Sequence, residues 1–366
     1  MHQFTIPIWL LGTILLASCA GEQPTVAPPL NARDARALIE QTLPPHVQDR
    51  PGWATDMYAA FTALTVTPSR ENICAVVAVI EQESGFRVDP VIPGLGMIAR
   101  NEIAGRAARL HVPMLLVDGV LQLKSPDGRS YGERIDAAKT EKDLSDAYED
   151  LISTVPMGRT LFADRNPIRT RGPMQVNVAF AAQFSSATPY PYPVKISMGD
   201  ELFTRRGSVY FGIAHLLDYR APYDQYLYRF ADFNAGQYAS RNAAFQSAIS
   251  TASGISLLAD GALLPHDGDA NNPGATELAV RTLAPSFKMS DGAIHAALAE
   301  GRTKDFETTT LYQQVFALAD LKSRRQLPRA VVPYIKLGGP KIKRSLTTDW
   351  YAHRVDDRFK RCLNPQ

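Results

Sequence analysis

The sequence predicts a mainly helical globular protein, and three observations carry that expectation. Helical apolar spacing recurs along most of the chain, no series of alternating strands is visible, and no internal repeat breaks the pattern. A length of 366 residues is enough to bury a substantial core in one large domain or two modest ones. With 45% hydrophobic and 21% charged residues, the composition is that of an ordinary soluble globular chain. The 39 basic and 37 acidic residues leave a net charge of +2, which lacks the broad basic field that nucleic-acid binding requires, so no nucleic-acid partner is expected.

Taken in order, residues 1–18 carry an apolar block from Phe4 to Leu16, too short and too Pro-interrupted for a comfortable membrane span, and read as a signal peptide. Leu16-Ala17-Ser18-Cys19 resembles the bacterial lipobox, which implies that Cys19 receives acyl chains such as palmitate. Ala20 in place of Asp is the pattern associated with sorting to the outer membrane. An ordinary cleavable signal or an uncleaved anchor stays open, although the n-region has no Lys or Arg. Residues 19–32, Pro-rich and polar, form a tether. Residues 33–70 carry two short helical patterns, Asp34–Thr42 and Gly52–Leu64, separated by Pro44-Pro45.

The central domain is expected over 71–325, with helices at Ile73–Glu83, Ile98–Leu110, Ser145–Ile152, Val176–Gln183, Tyr210–Leu217, Ala243–Ala252, Ser290–Ala299 and Glu307–Leu321. Val120–Tyr131 reads as one hairpin turning at Asp127-Gly128. The tail, 326–366, is rich in Pro, Lys and Arg and shows no clear element. Apart from Cys19, two cysteines remain, Cys74 and Cys362: a disulfide joining tail to core, or two buried thiols.

The stretch VVAVIEQESGF, Val76–Phe86, runs an apolar segment into acids. A strand would put Glu81 and Glu83 on one face, whereas a helix separates them by about 200°. Asn72 as a cap and Gly85 as a stop favour the helix. Glu83 then sits at a helix carboxyl end behind a buried segment, and both the dipole and burial favour its protonated form. A carboxyl group protonated near neutral pH is what a general acid for glycosidic cleavage has to be. Further on, RGPMQVNVAFA (Arg171–Ala181) presents an amide after a Gly-Pro turn, and YRFADFNAGQYA (Tyr228–Ala239) sets Asn234-Ala235-Gly236 after an aromatic run. Amides, backbone at a glycine and aromatic faces are suited to holding N-acetyl sugars.

Together these segments resemble the lytic transglycosylases with a goose-lysozyme-like (SLT-type) fold. Glu83-Ser84 resembles their E-S pair, GPMQ their G-L-M-Q, GSVYFGIAHLLDY the helix before their A-Y-N-A-G, DFNAG that motif itself, and LYQQV (Leu311–Val315) their late tyrosine motif. The resemblance implies a lysozyme-like helical domain in which Glu83 is the catalytic acid and Ser84 orients it. It further implies that Gln175 and Asn234 bind the sugar, with Met174, Phe233, Ala235, Gly236 and Tyr312 lining the cleft. The sequence departs from the family in several places. Residues 89–171 are an insertion, expected to be a helical subdomain or lid; Pro173 and Phe233 replace a Leu and a Tyr; and Glu307 falls one position too early for the late acid.

Nearly the whole chain after Cys19 also resembles a family of Gram-negative outer-membrane lipoproteins of unknown function, through VPMGRTLF, GPMQVNVAFA, RFADFNAGQYASRNAAFQ and MSDGAIHAALAEG. That resemblance implies a lipid-anchored protein of the cell envelope, periplasmic or surface-facing, and an association with peptide uptake has been proposed for the family. Two functions are therefore expected as alternatives. One is cleavage of the MurNAc–GlcNAc bond of peptidoglycan glycan strands with a 1,6-anhydro product; the other is a lysozyme-like cleft that binds glycan or peptide without turnover, including as accessory to an envelope peptide transporter. The seven histidines are scattered, with no H-E-x-x-H, G-x-S-x-G or Walker-type loop, so no metal and no cofactor is expected. His215 reads as a packed or cleft-edge histidine.

Overall fold

A computed structural model describes residues 31–265, 272–339 and 344–365. The expected signal peptide (1–18), Cys19 and all but the last two residues of the tether lie outside the described residues. Three helices open the fold: α1 (Ala32–Thr42), α2 (Arg50–Ala63) and α3 (Arg70–Glu83). The segment 89–171, expected as an insertion, follows as α4 (Leu95–Arg109), α5 (Met114–Leu121), α6 (Tyr131–Ala137), α7 (Glu141–Ser153) and α8 (Gly158–Phe162). A two-stranded hairpin, β1 (Thr170–Arg171) and β2 (Val176–Asn177), leads into α9 (Val178–Ala187), α10 (Met198–Leu202), α11 (Arg205–Leu217) and α12 (Tyr226–Ala235). Then come α13 (Ala239–Ser253), α14 (Ala275–Arg281), α15 (Ala284–Phe287), α16 (Asp291–Ala299), α17 (Thr310–Ser323), a second hairpin of β3 (Lys336–Leu337) and β4 (Leu346–Thr347), and α18 (Thr348–Leu363).

The molecule is mainly helical, as the apolar spacing predicts, and α3 shows why. Every residue from Ile73 to Ile80 is buried, so the helix has no solvent face over that stretch. Ser69, not Asn72, is its cap: the Ser69 hydroxyl accepts from the Asn72 N–H, while the Asn72 side chain donates to the Thr67 carbonyl. At the other end Gly85 adopts φ +59° and returns its N–H to the Ile80 carbonyl, closing the helix as a left-handed C-terminal residue does.

Two cores form. The first joins α1, α2, α3, α11, α12 and α18 through Ile39, Phe61, Ile80, Phe211, Phe230 and Val355. The second joins α13 to α17 through Phe245, Val280, Ile294, Leu311 and Phe316. Helix α13 packs on α12 and so runs from one core into the other. The insertion helices α4 to α8 pack chiefly on each other.

Three expectations are corrected. The Val120–Tyr131 hairpin is reduced to one isolated bridge, Lys124 to Ser130, around the Asp127-Gly128 turn, because α5 already occupies the chain up to Leu121. The helices of 33–70, expected to lie outside the central domain, contribute Ile39, Trp53 and Phe61 to the first core. The tail, read as featureless, contains α18, wedged between α3 and α12. Its apolar residues Tyr351, Val355, Phe359 and Cys362 recur every three or four positions among seven Lys, Arg and Asp side chains, so the stripe is hidden in a polar composition. A disulfide, Cys74–Cys362, with Cα atoms 5.5 Å apart, ties α18 to α3. No helix among the described residues is long and apolar enough to cross a membrane.

Candidate functional site

Glu83 is the last residue of α3, and its carboxylate oxygen Oε1 accepts a 2.5 Å hydrogen bond from the Tyr351 hydroxyl of α18. Burial raises its pKa and the negative charge of Glu141 adds to the rise; the Tyr351 bond opposes both, and the carboxyl settles at about 7. Tyr351 itself, only 4% exposed, is held well above the ordinary phenol range by burial and by Glu83, so it remains a donor. A carboxyl group half-protonated at neutral pH can both give and take a proton there.

Gln175 approaches from the hairpin. Gly172, Pro173, Met174 and Gln175 make the turn between β1 and β2, with Gly172 at φ +73° and Gln175 at φ +50°. A Cβ on Gly172 would lie 2.0 Å from the Leu202 carbonyl oxygen, so both space and backbone conformation demand glycine. Both polar atoms of the Gln175 amide are engaged: it accepts from the Thr170 hydroxyl at 2.8 Å and donates to Glu141 at 3.0 Å and to the Gly172 carbonyl at 3.3 Å. Glu141, 8% exposed at the start of α7, is therefore a carboxylate that the insertion delivers beside both Gln175 and Glu83.

Asn234 lies near the end of α12, where Gly236 ends the helix at φ +109°. Its side-chain oxygen accepts from the Thr348 hydroxyl at 2.8 Å. Thr348 and Tyr351 are three residues apart on one face of α18, so a single helical turn holds both Asn234 and Glu83. Asp232 locks the segment from beneath, accepting from the hydroxyls of Tyr219 and Tyr223 and from the backbone N–H groups of Tyr238 and Ser240. Phe233 continues an aromatic stack, Phe180 on His215 at 4.5 Å and His215 near Phe233 at 5.1 Å. Burial holds the His215 pKa at about 4, so the ring is neutral at pH 7.

Three expected roles are corrected. The Ser84 hydroxyl donates to the Ile80 carbonyl, a helix-end bond, and the hydroxyl that bonds Glu83 is that of Tyr351. Met174 is fully buried, its side chain packed against Gly212, and anchors the turn rather than lining a cleft. Tyr312 belongs to the second core, stacked on Phe245 and next to Phe316, while Glu307 pairs with the buried Arg241 at 3.4 Å. The late tyrosine motif is thus a packing motif, and the phenol beside Glu83 comes from 39 residues further along the chain. Ala235 and Gly236 are half-buried at the helix end. Among the described residues, no group of three or more His, Cys, Asp or Glu is placed to hold a metal ion.

Tyr351, Thr348 and Glu141 escaped the sequence reading. The stripe of α18 is a signal that finds Tyr351. Glu141 had none, since its place depends on how the insertion folds back. Tyr351→Phe removes the bond that holds down the Glu83 pKa, so the carboxyl is expected to titrate above 7, with a loss of about 1–2 kcal/mol in stability. Carbon-13 NMR titration of glutamate carboxyls checks the first effect and urea unfolding the second; an unmoved titration means that Tyr351 does not govern Glu83.

A family model described as "Protein of unknown function (DUF1615)" matches residues 46–365. The chain is 48% identical over 358 residues to an Escherichia coli (strain K12) protein called "Uncharacterized protein YaiW", covering 97% of this chain and 96% of that one. No solved structure matches the chain.

Proposed function

The chain belongs to the DUF1615 family of proteins of unknown function, and within it we propose a lytic transglycosylase-like activity on peptidoglycan glycan strands, on a lysozyme-like helical domain. One observation supports this reading above the others: a glutamate at a helix end, pKa about 7, held by a buried phenol. Protonated Glu83 would give its proton to the glycosidic oxygen between MurNAc and GlcNAc. The resulting carboxylate would take the proton of the muramyl C6 hydroxyl as that oxygen attacks C1, closing a 1,6-anhydro ring. One carboxyl group serves both steps, whereas hydrolysis by paired carboxylates needs a second. Glu141 would keep the proton on Glu83 before reaction and favour positive charge developing on the sugar. The Asn234 amide nitrogen, which has no protein partner among the described residues, would bind the acetamido group. Attachment to the outer membrane through acyl chains on Cys19 belongs to the same reading.

Purified sacculi incubated with the protein and analysed by mass spectrometry test it. Anhydromuropeptides are expected from the wild type, and a loss of at least about 100-fold in Glu83→Gln. Reducing-end products instead would give Glu141 the role of second carboxylate. No product of either kind sinks the enzymatic reading.

One observation favours a second reading, a cleft that binds glycan or peptide without turnover. Both polar atoms of the Gln175 amide are occupied within the protein, so the residue expected to grip the sugar is engaged in the scaffold. Retained sacculus binding with no product would support it.

A further inference from the structure

Helices α4 to α7 of the insertion surround a cavity of about 850 Å³, within the usual range for small-molecule pockets. Ile98, Ile103, Leu116, Leu144 and Leu151 make its walls apolar. Among the described residues, three polar side chains on the same lining lack protein partners for their polar groups. Tyr131 is 1% exposed, and its hydroxyl has no hydrogen-bond partner among the described residues, a costly state for a buried donor. Arg165 and Arg169 form no ion pair among the described residues; Arg165 only rests over the Phe162 ring. The other charged groups on the lining are already engaged, Arg106 with Glu102 and Glu141 with Gln175. An apolar volume with two free guanidinium groups and a buried unpartnered phenol is complementary to one chemical class.

We propose that this cavity binds the aliphatic chain of an anionic amphiphile, with its carboxylate or phosphate facing Arg165 and Arg169 and an oxygen of the ligand accepting from Tyr131. Chain burial supplies affinity and the guanidinium groups supply head-group selection. The site does not depend on the catalytic reading, because Tyr131, Arg165 and Arg169 take no part around Glu83. It does share a wall with that region, since Glu141 and Thr170 border both.

A chain beginning at residue 20 keeps every described residue, both cores and the disulfide, and serves as the protein for calorimetry. Sodium decanoate, dodecanoate and tetradecanoate, below their aggregation limits, are expected to bind one to one and to tighten roughly ten-fold for each two added methylenes. Dodecyltrimethylammonium is expected to bind at least ten-fold more weakly than dodecanoate. Arg165→Ala with Arg169→Ala should erase that preference while leaving the chain-length dependence intact; both side chains are exposed, so the fold is kept. Tyr131→Phe should weaken dodecanoate several-fold, and Leu144→Trp should block it, with circular dichroism checking that both variants fold. Native mass spectrometry after incubation with phosphatidylglycerol vesicles identifies the source: bound phospholipid points to a membrane lipid, and binding of fatty acid alone points to a free one. Absence of saturable binding to either, affinity that ignores chain length, or equal affinity for cationic and anionic chains overturns the proposal.

Discussion

Cys362→Ser, or reduction of the wild type, is expected to lower stability by about 4 kcal/mol. The Cys74–Cys362 bond closes a loop with a sequence separation of 288 residues, and chain-entropy reasoning puts the contribution of so long a loop at the upper end of the observed range, roughly 4–5 kcal/mol. The bond also acts locally. Cys74 is fully buried within α3, and Cys362 lies in the last turn of α18, so the bond fastens the far end of the helix that brings Tyr351 and Thr348 to the site. Loss of the bond should therefore release Glu83 from Tyr351 as well as destabilise the whole. Urea unfolding with and without reductant measures the first effect, and the glutamate carboxyl titration the second. A loss below about 1 kcal/mol would show that packing alone holds α18, and that the covalent tie is redundant.

Glu83→Gln is expected to stabilise the protein relative to wild type at pH 8 by about 2–3 kcal/mol, and to have little effect at pH 4. In the folded chain Glu83 has a pKa of about 7, against an ordinary value of 4.5. The folded state thus binds this proton more tightly than the unfolded state, and the associated stability is fully present below pH 4.5. It is lost as pH rises through 7, when a negative charge must be held in a buried place beside Glu141. Glutamine keeps an oxygen that accepts from Tyr351 but carries no charge at any pH. Unfolding free energies of both proteins measured from pH 4 to pH 8 should diverge; parallel curves would falsify the raised pKa, and with it the proton-donor role. Together with the sacculus assay this variant tests two expectations on one carboxyl group, the proposed turnover and the raised pKa.

How much of the site could be read beforehand differs from residue to residue. Glu83 was legible because its signal is local: an apolar run, acids and a glycine stop within eleven residues already imply a carboxyl group at a buried helix end. Gln175 and Asn234 were legible as positions, through a Gly-Pro turn and an N-A-G helix end, but not in their partners. Tyr312 was misplaced because a motif fixes spacing along the chain and not which of two cores a helix joins. Its neighbours Phe245 and Phe316 draw it into the second core.

By itself the sequence determined the helical class and the place of an acid at a helix end behind a buried run, since each rests on residues close together along the chain. Only the tertiary structure decided which phenol meets Glu83, that Glu141 arrives from the insertion to stand beside it, and that the polar tail is a core helix. The physical reason is that burial, charge proximity and hydrogen bonding act through space. Residues 83 and 351 are joined by a 2.5 Å bond across a sequence separation of 268, and no local pattern encodes that meeting.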